Sequence, residues 1–95
     1  MNLKESRKKI GIDDRFTVLF VGRLIPIKGI KLLVEIAREL DQIQFLFIGA
    51  GPLESFLKRT SEQNTNIHFL GQVQNYNLPV YYNSADIFCI RSHYD

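Results

Sequence analysis

Two stretches of this chain, Phe16-Thr17-Val18-Leu19-Phe20-Val21 and Phe45-Leu46-Phe47-Ile48, are apolar almost without interruption. A strand with one wet face alternates apolar and polar side chains. A continuous run therefore marks a strand covered on both faces, as in a parallel sheet. Weaker runs at residues 66–70 and 86–90 complete a set of strand candidates that start at positions 16, 44, 66 and 86. These intervals suit compact β-helix-β units, whose crossovers are right-handed. The segments between them carry helical periodicity. Ile30, Leu33, Val34, Ala37 and Leu40 fall on one helix face, with Lys31 and Glu35 paired at i,i+4 on another. Pro52 suits the first turn of a second helix, with Leu53, Phe56 and Leu57 as its inner face. A third, short helix is expected around residues 77–83, with Asn77 or Asn75 as N-cap and Leu78 and Tyr81 or Tyr82 turned inward. Residues 3–9 predict a helix ahead of the first strand, ended by Gly11. The fold expected is α/β: an open, doubly wound (Rossmann-like) parallel sheet of about four strands with helices on both faces.

Composition sets the limits on this reading. At 95 residues there is room for one domain of marginal stability. The balance of 45% hydrophobic to 23% charged residues is that of a globular chain, not a disordered one. No apolar run approaches the ~18–20 residues of a membrane span. Lys4, Arg7, Lys8 and Lys9 are not followed by an apolar stretch, so no secretory leader is expected. The single cysteine, Cys89, allows no internal disulfide and points to a reducing cytoplasm; inside an apolar run it reads as a buried small hydrophobe. The net charge of +2 comes from the first nine residues, so residues 1–15 read as a basic lead-in helix or arm. The remainder is balanced and lacks the basic stripe of a nucleic-acid binder.

In such sheets ligands bind beyond the carboxyl ends of the strands, where strand order reverses. With the first strand between the second and fourth, the loops at 22–29 and 91–95 flank that crevice. In the first loop Gly22 permits close approach to the backbone. Arg23 and Lys28 stand beside a helix start, an arrangement suited to phosphate and equally open to a reading as solvated loop cations. No Ser or Thr follows Lys28, so this is not a Walker loop. Gly49-Ala50-Gly51-Pro52 either approaches a ligand or is a tight strand-to-helix turn. Gly71-Gln72-Val73-Gln74-Asn75 can offer backbone groups to a base. Asp95 could hold sugar hydroxyls or be an exposed carboxylate. His68 reads as structural, His93 as a surface histidine and Asp86 as a turn cap. No metal-ligand spacing surrounds either histidine, and Ser92-His93 lacks the glycines of a nucleophile elbow.

Taken in order, Val21-Gly22-Arg23-Leu24, Lys28-Gly29, Phe47-Ile48-Gly49-Ala50-Gly51-Pro52, Phe69-Leu70-Gly71, Tyr81-Tyr82-Asn83-Ser84-Ala85-Asp86 and Arg91-Ser92 resemble the donor-binding domain of retaining glycosyltransferases of family 4 (group 1). The resemblance spans residues 16–95 and implies the GT-B architecture, two Rossmann-like domains around a cleft. Residues 1–95 would then be the first part of the C-terminal, donor-binding domain. It implies that Arg23 and Lys28 bind the diphosphate of a nucleotide-sugar with Gly22 admitting it, and that Gly49, Gly51 and Val73 complete the nucleotide site. Asp95 aligns with the first of two paired acids, usually Glu, that touch the donor sugar. Arg91 stands where the family most often has Pro.

The implied chemistry is transfer of a hexose from a UDP- or GDP-sugar to a glycan or lipid acceptor with retained configuration. The cations, and no metal or other cofactor, would stabilise the departing diphosphate. The second acid would fall eight positions beyond Asp95, and the acceptor domain would precede this segment. A truncated domain, inactive in isolation, is therefore expected, cytoplasmic or peripheral to a membrane through its other half. A nucleotide-sugar epimerase of the same fold and a non-catalytic interaction module are the alternatives. In every case Ile87-Phe88-Cys89-Ile90 is expected to form an apolar edge strand open to self-pairing.

Overall fold

The computed structural model describes residues 2–26 and 28–90, with Lys28 and Ile90 described in backbone alone. The chain runs α1 (Leu3–Ile10), β1 (Thr17–Val21), α2 (Lys28–Glu39), β2 (Gln44–Ile48), α3 (Glu54–Gln63), β3 (Ile67–Gly71), a 3-10 turn (Asn75–Asn77), α4 (Leu78–Tyr82) and β4 (Ile87–Ile90). The strands form one parallel sheet in the order β3-β2-β1-β4, so strand order reverses between β1 and β4 as expected.

The unbroken apolar runs are buried on both faces. Val18, Phe20, Phe45, Phe47 and Ile67 pack beneath Ile30, Val34 and Ala37 of α2 and Leu53 and Leu57 of α3. Leu19, Leu46 and Ile48 point the opposite way, toward Ile10, Leu78 and Tyr81. Alternate residues of one strand thus serve two cores, which is the doubly wound arrangement. Leu40 departs from the expected α2 face. The helix ends at Glu39, and Leu40, one residue later, is 44% exposed. The second helix begins at Glu54 rather than Pro52. Neither Asn75 nor Asn77 caps α4 through its side chain. Tyr82 faces outward and packs against Phe88 with the rings tilted at 56° and their centroids 4.7 Å apart. Cys89 is half-buried against the α2 side of the core rather than fully enclosed. Among the described residues β4 pairs with β1 alone. Its Ile87 and Phe88 are exposed, giving the apolar edge that was expected.

The lead-in segment is a packed helix. Asn2 caps α1 by accepting the Glu5 N–H at 2.8 Å. Gly11, at φ 78°, closes it in the left-handed conformation that glycine adopts without strain. Arg7 is buried among polar partners from distant parts of the chain. Its Nε donates to the Ser84 carbonyl at 3.0 Å and its Nη1 to Asp14 at 3.0 Å. Its Nη2 donates to the carboxylate of Asp86. Asp86 also accepts the Thr17 N–H at 2.8 Å, and its own N–H donates to the Thr17 carbonyl at 2.8 Å. Asp86 therefore joins the starts of β1 and β4 to α1, a larger role than the turn cap expected of it.

His68 lies within β3 and is half-buried, its Nε2 enclosed without a partner. Burial is the main cause that lowers its pKa below 6.5; the nearby Arg15 charge adds to this and Asp13 opposes it. The folded chain then binds fewer protons than the unfolded one once pH falls through about 6.5, so stability is lost on acidification. The loss begins near the unfolded value and levels off below the folded one. The urea midpoint should fall between about pH 7 and 5 in wild type, with a shallower slope in His68→Gln. Equal slopes in both proteins would contradict this.

Candidate functional site

Beyond the carboxyl ends of β1, β2 and β3 the chain makes three turns, and backbone hydrogen bonds lace them together. The Gly22 N–H donates to Ile48 O at 3.0 Å, Leu24 N–H to Ala50 O at 3.0 Å, and Gly49 N–H to Gly71 O at 2.9 Å. The Leu53 N–H returns to Leu24 O at 2.9 Å. Leu24 itself is fully buried and anchors its loop in the core. These bonds satisfy groups that a loop would otherwise leave to water and hold the rim of a crevice in a fixed shape.

The crevice has a volume of about 400 Å3. Val21, Ile48 and Leu78 supply apolar surface, while Gly22, Arg23, Gly49, Ala50, Gln72, Val73 and Asn75 surround them. Arg23 is exposed at this rim. The backbone of Lys28 opens α2, a helix long enough to present unpaired N–H groups at its start. Four of the site residues read from the sequence, Gly22, Arg23, Gly49 and Val73, thus share one cleft. The Lys28 side chain and Asp95, with Arg91, Ser92 and His93, lie outside the described residues.

The glycines of the second turn have a structural reason to be glycine. A Cβ on Gly49 would fall 1.8 Å from the Gly22 carbonyl oxygen, and one on Gly51 would fall 2.5 Å from the Leu24 carbonyl oxygen. Both sit at positive φ, 149° and 153°. Gly49 also borders the cleft, whereas Gly51 packs beneath Leu24 and is not among the residues lining it.

Sequence reasoning did not single out Gln72, Asn75 and Tyr76 as side chains that line a site, and read the Asn75 side chain only as a helix cap. They line an adjoining cleft of about 500 Å3 that shares Gln72, Val73 and Asn75 with the first. The polar run after β3 was the available signal, and Tyr76 was hidden among residues assigned to a helix start. Among the described residues no cluster of His, Cys, Asp and Glu could hold a metal ion. No helix there is long and apolar enough to cross a membrane.

Comparison with known proteins adds to this geometry. The family model described as "Glycosyl transferases group 1" matches residues 2–95. The O-antigen biosynthesis glycosyltransferase WbnH of Escherichia coli is 37% identical over 79 residues, covering 82% of this chain and 22% of the relative. A GDP-mannose-dependent alpha-(1-6)-phosphatidylinositol monomannoside mannosyltransferase of Mycobacterium tuberculosis is 33% identical over 93 residues, covering 90% of this chain and 24% of the relative. The chain therefore spans about a quarter or less of the length of these curated relatives. Among solved structures, Anabaena Alr3699/HepE in complex with UDP-glucose shares the fold, with a TM-score of 0.68 at 21% identity over 90% of this chain and 26% of that one.

Proposed function

Because the chain belongs to the glycosyl transferases of group 1, we propose that its crevice holds the diphosphate of a nucleoside-diphosphate sugar. On this reading the chain is donor-binding sequence of a retaining family 4 enzyme of GT-B architecture, which moves a hexose to a glycan or lipid acceptor. The observation that carries it is the convergence of Gly22, Arg23 and Val73 with the start of α2 at one end of the sheet. That is the end where an α/β sheet binds its ligands. The relatives above are a glycosyltransferase and a mannosyltransferase by name, which favours transfer over epimerisation.

The chemistry follows from charge. As the glycosidic bond to the donor breaks, negative charge grows on the departing diphosphate. Arg23 offers a planar fork to its oxygens and Lys28 a point charge, while free N–H groups at the α2 start add a fixed dipole. These groups stabilise the charge without a metal ion, and Asp95 touches the donor sugar. Val73 meets the base through its backbone. Gly22 and Gly49 leave the rim low enough for the ligand to approach, and Gly51 supports that rim from below. The acceptor domain and the second acid belong to sequence beyond this segment. The donor is met in the cytoplasm, and this segment alone binds it without turnover.

Calorimetric titration with UDP and with GDP tests the diphosphate site. Arg23→Ala and Lys28→Ala should each weaken binding of the preferred nucleotide by about tenfold or more, since each removes a charge-assisted hydrogen bond. Unchanged affinity in both variants would remove the claim, as would no binding by the folded wild type.

A further inference from the structure

Among the described residues, four side chains enclose a nitrogen or oxygen that has no hydrogen-bond partner: Ser6 Oγ, Arg15 Nε, Gln44 Oε1 and His68 Nε2. The last three belong to one corner of the sheet. His68 pairs in register with Leu46 of β2, two residues after Gln44. Leu46 faces Ile10 of α1, and alternation puts Gln44 and His68 on that same face of adjacent strands. Arg15 enters from the loop before β1, and its charge and that of Asp13 act on the His68 ring. The Gln44 amide cannot turn to find another partner. Its Nε2 donates to the Asp13 carbonyl at 2.5 Å and to Thr17 Oγ1 at 3.0 Å. Thr17 Oγ1 gives its own proton to the Arg15 carbonyl at 2.7 Å, so toward Gln44 it can only accept. Exchanging the two ends of the amide would set oxygen against oxygen. Gln44 Oε1 is therefore a fixed acceptor on a residue that is 0% exposed. Arg15 is fixed as well, with Nη2 on Asp13 at 2.9 Å and Nη1 on the Asp41 carbonyl at 3.4 Å. That leaves its Nε–H as a donor with nothing to meet.

Enclosed polar groups left unmet are costly, and each one in a folded chain calls for a partner. One donor and two acceptors suit a single water molecule, which accepts from the donor and spends both protons on the acceptors. Internal waters make about three such bonds to groups the protein does not satisfy itself. We propose that an internal water is bound in this corner, accepting from the Arg15 Nε–H and donating to Gln44 Oε1 and His68 Nε2. Arg15 and His68 are only partly buried, which gives the water a way in. The assignment makes His68 the neutral tautomer with its proton on Nδ1. It agrees with the direction in which the histidine is shifted, because a hydrogen bond to a bare Nε2 favours the uncharged ring. The water joins the loop before β1 to β2 and β3, toward the amino ends of the strands and away from the crevice. It is therefore a site independent of the donor reading.

The test is water-selective NMR on the nitrogen-labelled 95-residue chain. In wild type the Arg15 Nε–H should show a nuclear Overhauser contact with a long-lived water. The imidazole nitrogens of His68 should report a protonated Nδ1 and a bare Nε2 at neutral pH. His68→Phe keeps a flat ring and removes the acceptor, so the water contact at Arg15 should be lost. His68→Gln supplies an amide oxygen in place of Nε2 and should keep the contact. A wild-type Arg15 Nε–H with no water contact overturns the assignment, as does a His68 ring with its proton on Nε2. A contact undiminished in a folded His68→Phe overturns it too. Should His68→Phe fail to fold, the wild-type contact and tautomer decide the matter by themselves.

Discussion

Replacing Arg7 by methionine should lower the free energy of unfolding by about 2–3 kcal/mol, since a buried guanidinium loses its charge-assisted hydrogen bonds while the carboxylates it leaves stay partly in water. The methionine keeps much of the apolar stem, so the loss isolates the guanidinium. Its side chain is 6% exposed, and three groups depend on it: Asp14, Asp86 and the Ser84 carbonyl. Without it, Asp86 keeps its hydrogen bond from the Thr17 N–H but loses its countercharge in a part-buried position. Domains of this size are held by only about 5–15 kcal/mol, so the substitution removes a large share of the whole. Urea unfolding followed by circular dichroism reads the difference, and the α1 amides should lose exchange protection first. Asp86→Asn keeps the geometry while removing the charge, and should cost less than Arg7→Met. A change under about 1 kcal/mol in Arg7→Met would place the pair among the surface bridges that contribute little.

That clamp was not legible in the sequence, and the reason is physical. Arg7 reaches Ser84 and Asp86 across separations of 77 and 79 residues. Periodicity reports on neighbours within a few turns, so the segment read as a basic excess and Asp86 as a local cap. What periodicity does report was legible: four strands of a parallel sheet and the faces of α2 and α3, while the place of β1 between β2 and β4 came from assuming the common topology. Leu40 shows the limit, since it obeys the helical spacing and yet lies one residue past the helix end. The crevice was legible in position because topology alone dictates where it opens. Its lining was legible only in part. Gly22 and Arg23 stand in a short loop whose place is set by β1, and Val73 came through resemblance. The exposure of Tyr76 beside Gln72 and Asn75 depends on which way a 3-10 turn presents one ring, and no sequence pattern encodes that direction.

Gly49→Ala should be among the most damaging single changes in the chain, costing about 3–5 kcal/mol from overpacking and backbone strain together. The added methyl would lie 1.8 Å from the Gly22 carbonyl oxygen, which is backbone and cannot rotate away. Relief requires the β1 loop to move, and that loop is held by the Gly22–Ile48 and Leu24–Ala50 hydrogen bonds. Gly71→Ala is the informative comparison. Gly71 also has a positive φ, 70°, but a Cβ there meets nothing within 4 Å. Its cost should be only the left-handed penalty of about 1–2 kcal/mol. The two variants therefore separate crowding from conformation. They also separate two reasons for the glycine: if Gly49 served only to let a ligand approach, Gly49→Ala would lose binding and keep its stability. With close backbone packing as the reason, the urea midpoint falls sharply. Amide shifts of residues 22–24 then move as well, because the same contact that excludes the methyl holds Arg23 at the rim.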